Sequence, residues 1–177
     1  MDEPDVLREQ LSLVWRLAGE ALADISDDEA LWLPTSNGWT VRRSANGRWV
    51  ADWSDTEPDP LPSSSIAWVQ WHVLWWWSTV INRSFGDGAL RREDIDWLGS
   101  QESMDAIDSL RIDWLSRLDS LGPDDLRSPE RTRWPYADGR PFLHVVAWVN
   151  AELMKNVAEM AYIRRITPFY RATTPSA

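Results

Sequence analysis

The sequence predicts an all-α protein, a four-helix bundle with a short β-hairpin between its first and second helices. Three observations carry that expectation. Four segments repeat apolar residues at helical spacing, their ends carry helix start and stop residues, and one segment between them is β-branched around Asn46-Gly47.

The first helix is expected over about 4–25, with Leu7, Leu11, Val14, Ala18, Leu22 and Ile25 on one stripe. Pro4 suits a first turn, and Asp2 and Glu3 suit its positive end. The hairpin follows, with 39–43 and 48–53 flanking a turn at 44–47. Three prolines between Asp55 and Pro62 make an extended connector. The second helix starts within Ser63-Ser64-Ser65, each able to cap, and stops at Phe85-Gly86-Asp87-Gly88. It is apolar nearly all round from Ile66 to Ile81, so it should be the most buried. The third runs over about 103–121, with Ile107, Leu110, Trp114, Leu118 and Leu121 in register and Gly122-Pro123 as its stop. Residues 122–140 read as a long loop of the kind that covers a site. The fourth helix opens at Pro141 and ends near Ile166, where Thr167-Pro168 stops it and leaves a loose tail from about 168 to 177.

At 177 residues, with 44% hydrophobic and 26% charged side chains, the chain fits one folded domain. A net charge of -10 argues against nucleic-acid and anionic-membrane partners, both of which need basic surface. The absence of cysteine excludes disulfides and thiolate metal sites, so any thiol chemistry would use an external thiol. No basic n-region precedes an apolar stretch at the N-terminus, and the longest apolar run is broken by Gln70 and His72. A cytoplasmic protein is expected. Fourteen tryptophans imply aromatic core packing, a flat-walled ligand pocket, or both.

The candidate chemistry centres on His72, one of two histidines, set in the aromatic run Trp68-Val69-Gln70-Trp71-His72-Val73-Leu74-Trp75-Trp76-Trp77. An imidazole there must find a buried partner or bind something. On the fourth helix Asn156 falls within the apolar face, with Glu152 and Glu159 on its edge and His144 on the opposite side. Glu152 and Asn156 stand at i, i+4, a spacing that lets two side chains converge on one atom. The plainer reading is a hydrogen-bonded core histidine paired with Asn156, beside ordinary Glu152, Lys155 and Glu159 helix pairs.

Trp71-His72, the Asn-x-Glu-x-x-x-Asn-x-x-Glu pattern at Asn150, Glu152, Asn156 and Glu159, and the lead-in Trp39-x-Val41-Arg42 with Trp49 and Asp52 resemble the DinB/YfiT-like superfamily. That resemblance covers about 7–165 and implies an up-and-down four-helix bundle, a homodimer, and a divalent metal held by three side chains in the core. The usual set is one His from the second helix and a His-x-x-x-His pair from the fourth. The mycothiol-dependent maleylpyruvate isomerase branch has Glu for the first of that pair. Carried over, the metal ligands are His72, Glu152 and Asn156, the last standing where a His belongs. An amide oxygen is a poor zinc ligand and suits harder cations, so the set should bind Zn²⁺ weakly, prefer Mn²⁺ or Mg²⁺, or be empty, with Zn, Mn and Ni the metals to test.

Two functions follow from that likeness. One is a metal-dependent transferase or isomerase using a low-molecular-weight thiol such as mycothiol or bacillithiol, with Glu159 as catalytic base and Arg83 and Trp76 binding a small-molecule substrate. The alternative is a non-catalytic small-ligand-binding or stress-associated bundle that has lost the metal site.

Overall fold

The computed structural model describes residues 3–173, with side chains to residue 168. Asp2 and residues 174–177 of the expected tail lie outside the described residues. The chain forms α1 (Glu3–Leu22), a short α2 (Asp27–Ala30), β1 (Val41–Arg43), β2 (Trp49–Ala51), α3 (Ile66–Phe85), a 3-10 turn (Arg92–Asp94), α4 (Ser100–Asp119), a short α5 (Pro123–Arg127) and α6 (Leu143–Thr173). The all-α class, the four long helices and the hairpin are those the sequence predicts.

The apolar stripe expected on α1 buries Leu11, Val14, Ala18 and Leu22, and α3 is buried nearly all round its axis. Ser65 caps α3, its hydroxyl accepting the Trp68 N–H at 3.1 Å. In the hairpin Val41 pairs with Ala51 and Arg43 with Trp49, and Gly47 supplies the positive φ of 80° that the turn needs.

Polar contacts fix the helix directions. Asn150 Nδ2 donates to Leu7 O at 2.7 Å near one end of the α1–α6 pair, and Arg164 Nη1 to Ala21 O at 2.9 Å near the other. These two helices therefore run the same way. α4 runs against α1, because Arg8 reaches Leu118 O while Ser100 Oγ lies 3.0 Å from Ile25 O. α3 and α4 run together, with Gln70 bonded to Ser100 O at their starts and Phe85 packed on Trp114 near their ends. The order is up, down, down, up, so within the four-helix class strict alternation gives way to one crossover. The crossover, 86–99, returns along α3 and covers a face that no helix covers, accepting Trp71 Nε1 at Ile95 O and placing Trp97 against Gln70. An α-helix apolar all round needs such additional cover.

Three local expectations are corrected. α4 begins at Ser100, where the Ser100 N–H and hydroxyl both donate to Asp27 Oδ1 at 2.7 Å and fix an earlier start than residue 103. The 122–140 loop contains α5, for which Pro123 sits in the first turn. Pro168 does not end α6, which continues to Thr173. A proline withdraws one N–H from the ladder, and here the helix absorbs that loss, with Thr167 Oγ1 donating back to Ile163 O at 2.8 Å. Among the described residues no helix is long and apolar enough to cross a membrane.

Candidate functional site

The lead-in to α3 builds one wall of the site. Asp52 accepts the Thr40 N–H at 2.9 Å and the Arg42 guanidinium through two contacts of 3.1 Å, while its carbonyl accepts Trp68 Nε1 at 2.8 Å. Trp39 joins the strand-like segment before α3, donating its N–H to Ser63 O and accepting the Ser65 N–H, each at 2.8 Å. These bonds hold the hairpin and the proline-rich connector against the first turns of α3. The result is a cleft of about 370 Å³ between that lead-in and α6, lined by Trp39, Trp53, Asp55, Glu57, Leu61, Trp68, His72, Lys155, Asn156 and Glu159 among others.

His72 reaches this cleft from α3. Its ring stacks on Trp68 at 5.0 Å with an 11° interplanar angle, and its Nε2 lies 3.5 Å from Glu152 Oε1 of α6. Nδ1 is buried and has no hydrogen-bond partner. Glu152 is half-buried and also takes the ammonium of Lys155, the only lysine in the chain. Burial pushes the Glu152 carboxyl up, but the hydrogen bonds and charges of His72 and Lys155 outweigh it and leave it below its ordinary 4.5. A carboxyl lowered on folding contributes stability above its unfolded pKa and loses it as pH falls through the folded value. Glu152→Gln should therefore flatten the acid limb of the stability curve below about pH 4.5, read by urea unfolding at a series of pH values. An acid limb identical to that of the unaltered protein would show that the pair contributes nothing to stability.

The predicted site residues divide into two groups. His72, Glu152, Asn156 and Glu159 come together, three of them lining the cleft and Glu152 in contact with His72. Asn156 is not paired with His72: its Oδ1 accepts Trp76 Nε1 at 3.0 Å, and both residues are 1% exposed. Trp76 is thus core, stacked on Trp77 and edge-on to Trp148, and does not line the cleft. Arg83 is exposed, its side chain passing Gly88 near the far end of α3. Eleven residues separate it from His72, roughly 16 Å along the helix. His144 is exposed and away from the cleft, as its place on the helix wheel implies.

The cover over the cleft is the connector after the hairpin. The 122–140 segment packs instead around the end of α3, through Ser84 Oγ to Arg131 O at 3.0 Å and Trp134 against Trp75. Lys155, Asp55 and Glu57 are the charged lining residues that the sequence reading did not select as site residues. The signal available for Asp55 and Glu57 was their place in a proline-rich connector directly preceding the helix that carries His72.

The chain is thus a four-helix bundle in which an imidazole and a carboxylate from facing helices meet beside an aromatic cleft. The DinB superfamily model matches residues 10–160, and the chain belongs to that superfamily. Neither a curated protein nor a solved structure matches the chain.

Whether these residues suit the metal that the resemblance implies turns on their donors. Two ligand atoms of a tetrahedral zinc lie roughly 3.4 Å apart, close to the 3.5 Å between His72 Nε2 and Glu152 Oε1. Asn156 Oδ1 keeps a second lone pair beyond the one Trp76 uses. Against this, a ligating imidazole as a rule donates its other N–H, and His72 Nδ1 lacks a partner. Among the described residues there is no group of three or more His, Cys, Asp or Glu side chains placed to hold a metal ion. The donors brought together are thus His72 Nε2 and Glu152 Oε1, with the Asn156 amide already bonded to Trp76.

Proposed function

We propose that the protein is a metal-dependent transferase or isomerase acting on a small molecule in the Trp-walled cleft, with a low-molecular-weight thiol as co-substrate. The observation that carries this reading is the meeting of His72 Nε2 and Glu152 Oε1 at 3.5 Å beside a cleft large enough for a substrate. His72, Glu152 and Asn156 would hold the ion. A divalent ion there would supply Lewis acidity and lower the pKa of a water or thiol presented to it. The chain's own side chains supply the rest. Trp39, Trp53 and Trp68 wall one side of the cleft, and Glu159, half-buried in its lining, would take or return a proton. Lys155 screens Glu152 and must release it for both carboxylate oxygens to become free.

Elemental analysis of protein purified without chelator or metal-affinity resin tests the reading. Near-stoichiometric Zn, Mn or Ni that disappears in His72→Ala is the expected result. Metal-free protein with no thermal shift on adding these ions would remove the metal from the reading.

A second reading has its own support. Asn156 is already committed to Trp76, and Lys155 already neutralises Glu152. Both favour a closed polar cluster at the floor of a cleft that binds a small ligand without chemistry.

A further inference from the structure

The charge around the cleft selects among ligands. Trp39 forms the centre of an aromatic wall, tilted on Trp68 at 5.2 Å and stacked on Trp53 at 6.4 Å. The charged side chains in the lining are Asp55, Glu57 and Glu159 against Lys155 alone, and the Lys155 ammonium is occupied by Glu152. Asp55 is shared between Trp53 Nε1 at 3.1 Å and Arg92 at 3.4 Å. Among the described residues Glu57 and Glu159 have no hydrogen bond or ion pair, and Glu159 is half-buried. Glu159 is thus a half-sheltered carboxylate on the cleft wall with no cation of the fold beside it, free to pair with a ligand cation. The negative faces of the indoles and the carboxylates favour the same sign of charge. Trp53 already displays this preference within the fold, carrying the Arg92 guanidinium 4.6 Å from its ring centroid.

We propose that the cleft binds an organic cation, an amine, guanidinium or quaternary ammonium on an apolar body, with Trp39, Trp53 and Trp68 as its wall and Glu159 as its counter-ion. The proposal rests on the cleft being the ligand site and not on a metal at His72. It opposes an anionic substrate, since the arginine that would pair with a carboxylate, Arg83, lies outside the lining.

The test is calorimetric titration of the full chain, stripped with EDTA and dialysed, with benzyltrimethylammonium, benzyl alcohol and benzoate. The cation is expected to bind about tenfold more tightly than the neutral probe, and benzoate least. Glu159→Gln should weaken the cation about three- to tenfold and leave benzyl alcohol unchanged. Equal or tighter binding of benzyl alcohol or benzoate, no binding of any probe, or cation affinity indifferent to Glu159→Gln would each overturn the proposal. Elemental analysis of the unaltered, unstripped protein beside these titrations separates the two readings. Charge selection in a chain that purifies without metal and shows no thermal shift on adding Zn, Mn or Ni leaves this proposal standing and the metal reading overturned. Stoichiometric metal without charge selection does the reverse.

Discussion

Gln70→Leu is expected to lower the unfolding free energy by about 2–4 kcal/mol. Gln70 is fully buried, its Oε1 accepting Trp97 Nε1 at 2.8 Å and its Nε2 donating to Ser100 O at 3.0 Å. Leucine fills the space but leaves a buried indole N–H and a buried carbonyl without partners, each costing about 1–3 kcal/mol, partly offset by the added apolar side chain. Those two groups belong to the crossover and the start of α4, so the amide ties three segments together. Urea unfolding measures the loss. Trp97→Phe in the Gln70→Leu background should then cost less than Trp97→Phe alone, because the unpaired N–H is already a liability. A loss below about 0.5 kcal/mol would mean that water replaces both bonds.

Asn156→His is expected to raise Zn²⁺ affinity by about 100-fold or more. The substitution puts a second imidazole at i, i+4 from Glu152, facing His72, and exchanges a weak amide donor for one suited to zinc. The new ring borders the cleft, as Asn156 does. A zinc-bound imidazole keeps only an N–H on its other nitrogen, so Trp76 Nε1 loses the acceptor it has in Asn156, a cost set against the gain in metal affinity. Calorimetry measures the gain directly. At zinc concentrations about 100 times the dissociation constant the protein should also gain about 2.7 kcal/mol of stability, visible as a raised melting temperature. Unchanged affinity in a folded variant would show that the floor of the cleft does not converge on one ion, and would strengthen the non-catalytic reading.

The site was legible to an uneven degree. The wheel positions of Glu152, Asn156 and Glu159 on α6 hold, because side-chain direction on a helix follows from its period. Their partners did not follow from the period. Asn156 takes Trp76 rather than His72, because a long indole on one helix reaches a level on the facing helix that spacing cannot assign. Arg83, expected to bind substrate, is exposed and roughly 16 Å of helix separates it from His72. The loop expected to cover the site packs elsewhere, and the proline-rich connector takes that place because Asp52 clamps the hairpin to α3.

Local chemistry in the chain determined the class of this protein: the four helices, the Ser65 cap, the Asn46-Gly47 turn and the imidazole among tryptophans are all one-segment properties. They are readable because period, capping and turn preference act over a few neighbouring residues. Only the tertiary structure decided the up, down, down, up order, the His72–Glu152 contact and the acidic, Trp-walled character of the cleft. Those depend on which faces meet, and that choice is made by burial of α3 nearly all round its axis, an energy that no single window of sequence contains.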